Sequence, residues 1–147
     1  MKTKLLLLIL LALWIPVTLD KVLDFTIFTT GILRQPFSDS LGYILIYSLP
    51  LLESLTIVFL LIPRTQYYGM LLSLGLMSSF TIYIGLALAG AWDQLPCGCG
   101  SVISSLTWKQ HFFFNLFFMA LSAAGVYLTN PQRGRIAGGD SAEGLPA

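Results

Sequence analysis

Four long apolar stretches separated by short polar breaks set the pattern of this chain. They run from Leu5 to Leu19, Tyr43 to Ile62, Tyr67 to Gly90 and Lys109 to Leu128. About 20 mostly apolar residues cross the hydrocarbon of a bilayer, so each stretch predicts a spanning helix. The first is the shortest. Its Lys2 and Lys4 followed by leucines also match the start of a secretory leader, but no small-x-small cleavage pattern follows near Val17-Thr18-Leu19, so a retained span is expected. Only Pro63-Arg64-Thr65-Gln66 separates the second span from the third, which predicts a tight antiparallel hairpin. Pro63 cannot donate to the preceding turn and stops the helix there. Thr107-Trp108-Lys109-Gln110 has the T-x-x-Q form of a capping box and marks the start of the fourth helix.

Residues 20–42 are too many for a turn. Val22, Phe25, Phe28, Ile32 and Leu33 recur there at roughly helical spacing until Pro36. Two readings stand: a short amphipathic helix at the extracytoplasmic interface, roofing the site, or a loop packed on the bundle. From Asn130 the chain turns polar and Gly/Pro-rich, which predicts a disordered tail over 130–147. The expected fold is therefore all-α, an integral membrane four-helix bundle over residues 1–129.

Composition agrees. Of 147 residues, 56% are hydrophobic and 10% charged, against roughly 25% charged in a soluble domain. Lipid rather than water must solvate much of the surface. A net charge of +1 gives no electrostatic case for a nucleic-acid partner. With the N-terminus in the cytoplasm, Lys2, Lys4, Arg64, Arg133 and Arg135 lie inside, and Lys21, Arg34 and Lys109 outside. The positive-inside rule favours this orientation, with both termini cytoplasmic and residues 91–108 extracytoplasmic.

That loop holds the chain's two cysteines, in Pro96-Cys97-Gly98-Cys99-Gly100. A disulfide needs Cα atoms roughly 4.4–6.8 Å apart, so residues i and i+2 must bend toward each other. Gly98 permits the bend. A cross-link closing so small a loop adds little stability, whereas strained, exposed disulfides are oxidising and labile, so a reversible redox pair is favoured over a structural staple. Metal binding by Cys97 and Cys99 is the rival: two thiolates do not complete a zinc site, though they suit Cu(I).

Further positions stand out, on the fourth helix just after the dithiol and in the second span. His111, the single histidine, lies about one turn into the fourth helix, with Asn115 at i+4 and Ser122 continuing that face. His111 can take a proton from a thiol or stabilise a thiolate, or it and Asn115 can serve as a polar helix-packing pair. Trp108 is expected in the interfacial aromatic belt. Glu53 falls within the second span, where an acidic residue costs about 2.5–3.5 kcal/mol on insertion scales, and so must face the bundle interior. It reads equally as a proton relay or head-group anchor and as an internal hydrogen bond that fixes packing. Small residues along the third span, among them Gly69, Ser73, Gly75, Ser79, Thr81 and Gly85, predict close helix approach.

Taken together, these features resemble a known family. Four spans, Pro50-x-x-Glu53, Pro63-Arg64, the stretch Asp20-Lys21-Val22-Leu23-Asp24-Phe25, and Pro96-Cys97-Gly98-Cys99-Gly100 with Trp108-x-x-His111-x-x-x-Asn115 are similar to the methylamine-utilisation MauE proteins, within the broader DoxX-like membrane proteins. The similarity covers residues 5–128, and Gly100-Ser101 stands where a stricter form of the redox-associated subgroup has Phe-Gly. The resemblance implies a four-helix, multi-pass protein of the bacterial inner (cytoplasmic) membrane. It further implies a part in maturing a disulfide-rich periplasmic protein beside a thioredoxin-like partner.

The leading expectation is a thiol–disulfide redox and maturation factor. Cys97 and Cys99 would exchange electrons with an extracytoplasmic thioredoxin-like or disulfide-bearing protein, His111 would serve the thiols, and Glu53, Trp108 and Asn115 would support them. A membrane acceptor, quinone or another thiol protein, has to complete the circuit. Two alternatives stand beside it. One is a non-catalytic anchor or assembly subunit with a metal-binding or static cysteine pair. The other is a quinone-linked oxidoreductase subunit of the DoxX-like kind.

Overall fold

Helices form where the apolar runs predict them. The computed structural model describes residues 2–91 and 107–131, with side chains from Thr3 onward. It contains α1 (Lys2–Leu23), α2 (Phe25–Leu33), α3 (Asp39–Leu61), α4 (Gln66–Leu88) and α5 (Trp108–Thr129). All but α2 are long and apolar enough to cross a membrane. At 1.5 Å per residue, 22 or 23 residues extend about 33–35 Å, enough for the roughly 30 Å hydrocarbon layer. The Cys97–Cys99 pair and the tail from 132 onward lie outside the described residues.

Helix ends follow local chemistry. Ser38 caps α3 by accepting from the Leu41 N–H, and Pro63 lies just beyond the end of that helix. Thr107 and Gln110 form the expected capping box: the Gln110 N–H donates to Thr107 Oγ1 at 3.4 Å and the Thr107 N–H to Gln110 Oε1 at 3.0 Å.

One expectation changes and one open choice closes. The first span does not stop at Leu19 but continues to Leu23, carrying Lys21 with it. A lysine ends a span when its ammonium must reach water. Here Lys21 is buried and meets a carboxylate inside the bundle. Residues 25–33 form a helix rather than a loop, yet only Phe28 and Ile32 of the expected apolar set are buried. Val22 belongs to α1, and Phe25, Ile27 and Leu33 are exposed to the surroundings.

The spans pack as a closed ring in the order α1, α3, α4, α5, with α4 against α5 the most extensive contact and α2 resting on α1 and α3. Along α3 the inward positions are Gly42, Ile46, Leu49, Glu53, Thr56 and Leu60, alternating by four and three residues. That 3.5-residue spacing is the coiled-coil seam. Trp14, fully buried, fills the centre; its indole N–H donates to Ser73 Oγ at 2.9 Å, and Ser73 pairs with Ser122 at 2.8 Å. Thus α1, α4 and α5 are tied at one level by polar groups that lipid leaves no other partner.

Close approach depends on two glycines. A Cβ at Gly69 would sit 2.8 Å from the Leu60 backbone nitrogen, and one at Gly125 2.3 Å from Met70 Sδ. Gly75, by contrast, has nothing within 4 Å. Gly69→Ala is therefore expected to destabilise the protein by about 1–3 kcal/mol, the usual range for overpacking, because a backbone cannot step aside. Gly75→Ala should be neutral or better, since it lowers the entropy lost on folding. Unfolding midpoints of the two variants in detergent check this ordering.

Candidate functional site

Glu53 and Lys21 make the most constrained contact in the bundle. Glu53 is 0% exposed, its Oε1 lies 2.7 Å from Lys21 Nζ, and Thr18 Oγ1 reaches its Oε2 at 3.5 Å. Lys21 Nζ also stands 5.9 Å from the centre of the Phe28 ring, inside cation–π range. The inward placement expected of Glu53 is observed. Lys21, expected among the extracytoplasmic loop charges, instead neutralises it. A missed signal was available: Leu10, Trp14, Thr18 and Lys21 recur every three or four residues, so a helix continued past Leu19 puts all four on one face.

Above this pair is a partly enclosed cavity of about 520 Å³. It occupies the α2 end of the bundle, away from the Ile62–Thr65 hairpin. Phe28 of α2, Phe37 of the α2–α3 link, and Phe80 and Tyr83 of α4 supply apolar and aromatic wall. Its polar groups come from different elements: Lys21, Gln35, Ser48, Ser79, His111 and Asn115. Tyr83 donates to the buried Gln35 side chain, whose amide nitrogen donates in turn to the Gly31 carbonyl at 3.0 Å. Gln35 and Tyr83 thereby fasten the α2–α3 link to α4; neither was singled out from sequence, because a Gln in a polar break and a Tyr in an apolar run are both unremarkable there.

Helix α5 brings three sequence candidates to the same wall. Trp108, His111 and Asn115 all line the cavity, the first two half-buried and Asn115 only 3% exposed. Trp108 thus faces a cavity inside the bundle as well as marking a helix start. Among the described residues, Asn115 Nδ2 is the buried side-chain polar atom with no hydrogen-bond partner. Leaving such a donor unmade costs about 1–3 kcal/mol, so its place in a cavity wall suggests that something else receives it. Ser122, on the same face two turns on, joins the core network rather than the cavity. Glu53 reaches the site only through Lys21. Cys97 and Cys99 fall outside the described residues, in the segment that leaves Ala91 and returns at Thr107. Among the described residues, no group of three or more His, Cys, Asp or Glu is placed to hold a metal ion.

Comparison with known proteins gives one family. The model of the methylamine utilisation protein MauE family matches residues 2–128, taking in all four spans and the cysteine segment. No curated protein and no solved structure matches the chain.

The ion pair makes a direct prediction. Glu53→Leu and Lys21→Met each strand one buried charge and should destabilise the bundle by about 3–5 kcal/mol. The double variant Lys21→Met/Glu53→Leu should be more stable than either single one. A double-mutant cycle on unfolding in detergent measures the coupling.

Proposed function

Since the chain belongs to the MauE family, we propose that it works as a membrane redox and maturation factor whose chemistry is thiol–disulfide exchange at Cys97 and Cys99. The observation that carries the reading is the cavity at the end of the bundle from which the cysteine segment departs, with His111, Trp108 and Asn115 on its wall. In this reading the protein sits in the bacterial inner membrane with both termini cytoplasmic and the cysteines outside. Withdrawal of Lys21 into the bundle favours that orientation. Lys2, Lys4, Arg64, Arg133 and Arg135 then face the cytoplasm, against Arg34 and Lys109 outside.

The exchange proceeds in balanced steps. A thiolate of a reduced thioredoxin-like or substrate protein attacks the Cys97–Cys99 disulfide, forming a mixed disulfide and releasing one cysteine as thiolate. The partner's second thiol resolves it, leaving an oxidised partner and a reduced Cys97/Cys99 pair. A membrane acceptor then takes two electrons and two protons and restores the disulfide. His111 holds a proton for the thiols. Trp108 and Asn115 shape the cavity wall on α5, and the Lys21–Glu53 pair keeps α1 and α3 in register below.

Two single substitutions separate this from an anchoring role. Cys97→Ser or Cys99→Ser leaves one thiol that can attack the disulfide of an oxidised partner, releasing one partner sulfur as thiolate, but no neighbouring thiol to resolve the mixed disulfide. One of them should therefore accumulate a dithiothreitol-sensitive adduct with a thioredoxin-fold protein, visible on non-reducing gels. The double variant should form none. If both single variants form no adduct and retain full maturation activity, the exchange reading is wrong and a static or metal-binding pair replaces it. His111→Ala should slow adduct formation about 10²- to 10⁴-fold, the usual size of a proton-transfer contribution, in stopped-time alkylation assays.

A further inference from the structure

We propose that the cavity between α2, α3, α4 and α5 is a binding site for the head group of a lipid-soluble quinone, with a ring carbonyl accepting from Asn115 Nδ2. The inference rests on the exchange reading only for its purpose, since a two-electron acceptor completes that circuit. The site itself is argued from described residues alone.

Three observations carry it. The first is size and lining. A volume of about 520 Å³ lies within the roughly 300–1,000 Å³ of small-molecule pockets, and rings of Phe28, Phe37, Phe80, Tyr83 and Trp108 on its walls suit a flat conjugated ring. The second is the orphan donor. Asn115 is buried, lines the cavity, and leaves Nδ2 without a partner among the described residues, so the ligand must offer an acceptor. The third is charge. The ammonium of Lys21 also lines the cavity but is already matched by Glu53 at 2.7 Å. The wall therefore has no unbalanced cation with which to attract a phosphate, and a neutral carbonyl fits better than an anionic lipid head group. A molecule that is neutral, flat, acceptor-bearing and apolar enough to reach this depth from the bilayer is a quinone, its isoprenoid tail left outside among lipids. When it serves as acceptor, the dithiol is oxidised to the disulfide and the quinone is reduced to quinol, two electrons and two protons passing together.

The test is titration of decylubiquinone into the full-length protein in phosphatidylcholine nanodiscs, followed calorimetrically against empty nanodiscs. Saturable binding at one molecule per chain is expected. Asn115→Leu should weaken it at least tenfold by removing the donor, and Ser48→Phe, which fills the cavity from α3, should abolish it. The two variants alter different helices, so a folding defect in one leaves the other decisive. Binding must survive in the Cys97→Ser/Cys99→Ser protein, while dithiol-driven quinone reduction is lost. Saturable binding with no cysteine-dependent reduction would uphold the site and overturn the quinone's part as acceptor for the dithiol, while the adduct test decides the exchange reading separately. An isotherm no different from empty nanodiscs, or binding unchanged by both cavity variants, would overturn the site and leave the exchange reading standing.

Discussion

A carboxylate inside a bilayer must be matched, and here Lys21 matches it. Either charge alone would cost several kcal/mol at that depth. Together, at 2.7 Å and with Thr18 in reach, they form a neutral unit that couples α1 to α3. The rotation of α1 follows from it, since Trp14 and Leu10 lie on the same stripe and are turned into the core with Lys21. The length of α1 follows too, because a lysine with an internal partner does not end a span. Finally the pair sets the character of the cavity above it, which is bordered by an ammonium yet is electrostatically balanced.

The other end of the bundle is built for closeness. Gly69 against the Leu60 backbone and Gly125 against Met70 bring α4 within touching distance of both neighbours, and the Trp14–Ser73–Ser122 chain fixes the level at which they meet. Lipid tails are as apolar as leucine, so such contacts rather than hydrophobic exclusion hold spanning helices together. Tight packing below and an open chamber above divide the molecule into a scaffold and a site. The chamber lies where α2 covers only part of the bundle and where α5 begins at Thr107.

Much of this was legible from sequence, and the failures have physical causes. Span number, the Pro63 hairpin and the Thr107 capping box were readable because apolar length, a missing N–H and an N-cap hydroxyl act locally. The inward face of Glu53 was readable because the energetic penalty leaves no other choice. His111 and Asn115 were readable as one face from their i, i+4 spacing, and both line the cavity. Lys21 was missed because charge counting treats every lysine near a span end as a loop residue, and its partner lies 32 positions away. Gln35 and Tyr83 were missed for the same reason: a contact across 48 positions leaves no trace in local pattern. The membership in the MauE family agrees with the resemblance carried by the cysteine and His111 motifs.

Scaffold, neutral ion pair and aromatic chamber together are compatible with the role we propose, passage of electrons between a thiol partner at the surface and an acceptor within the membrane. That role depends on one property of Cys97 and Cys99, reversible oxidation on the extracytoplasmic side. The most direct measurement is a redox titration of the pair in sealed membranes, scored by a membrane-impermeant maleimide. A reversible two-electron transition seen by reagent added from outside is the predicted result. Thiols that never oxidise, or that react only after the inner face is opened, would contradict it.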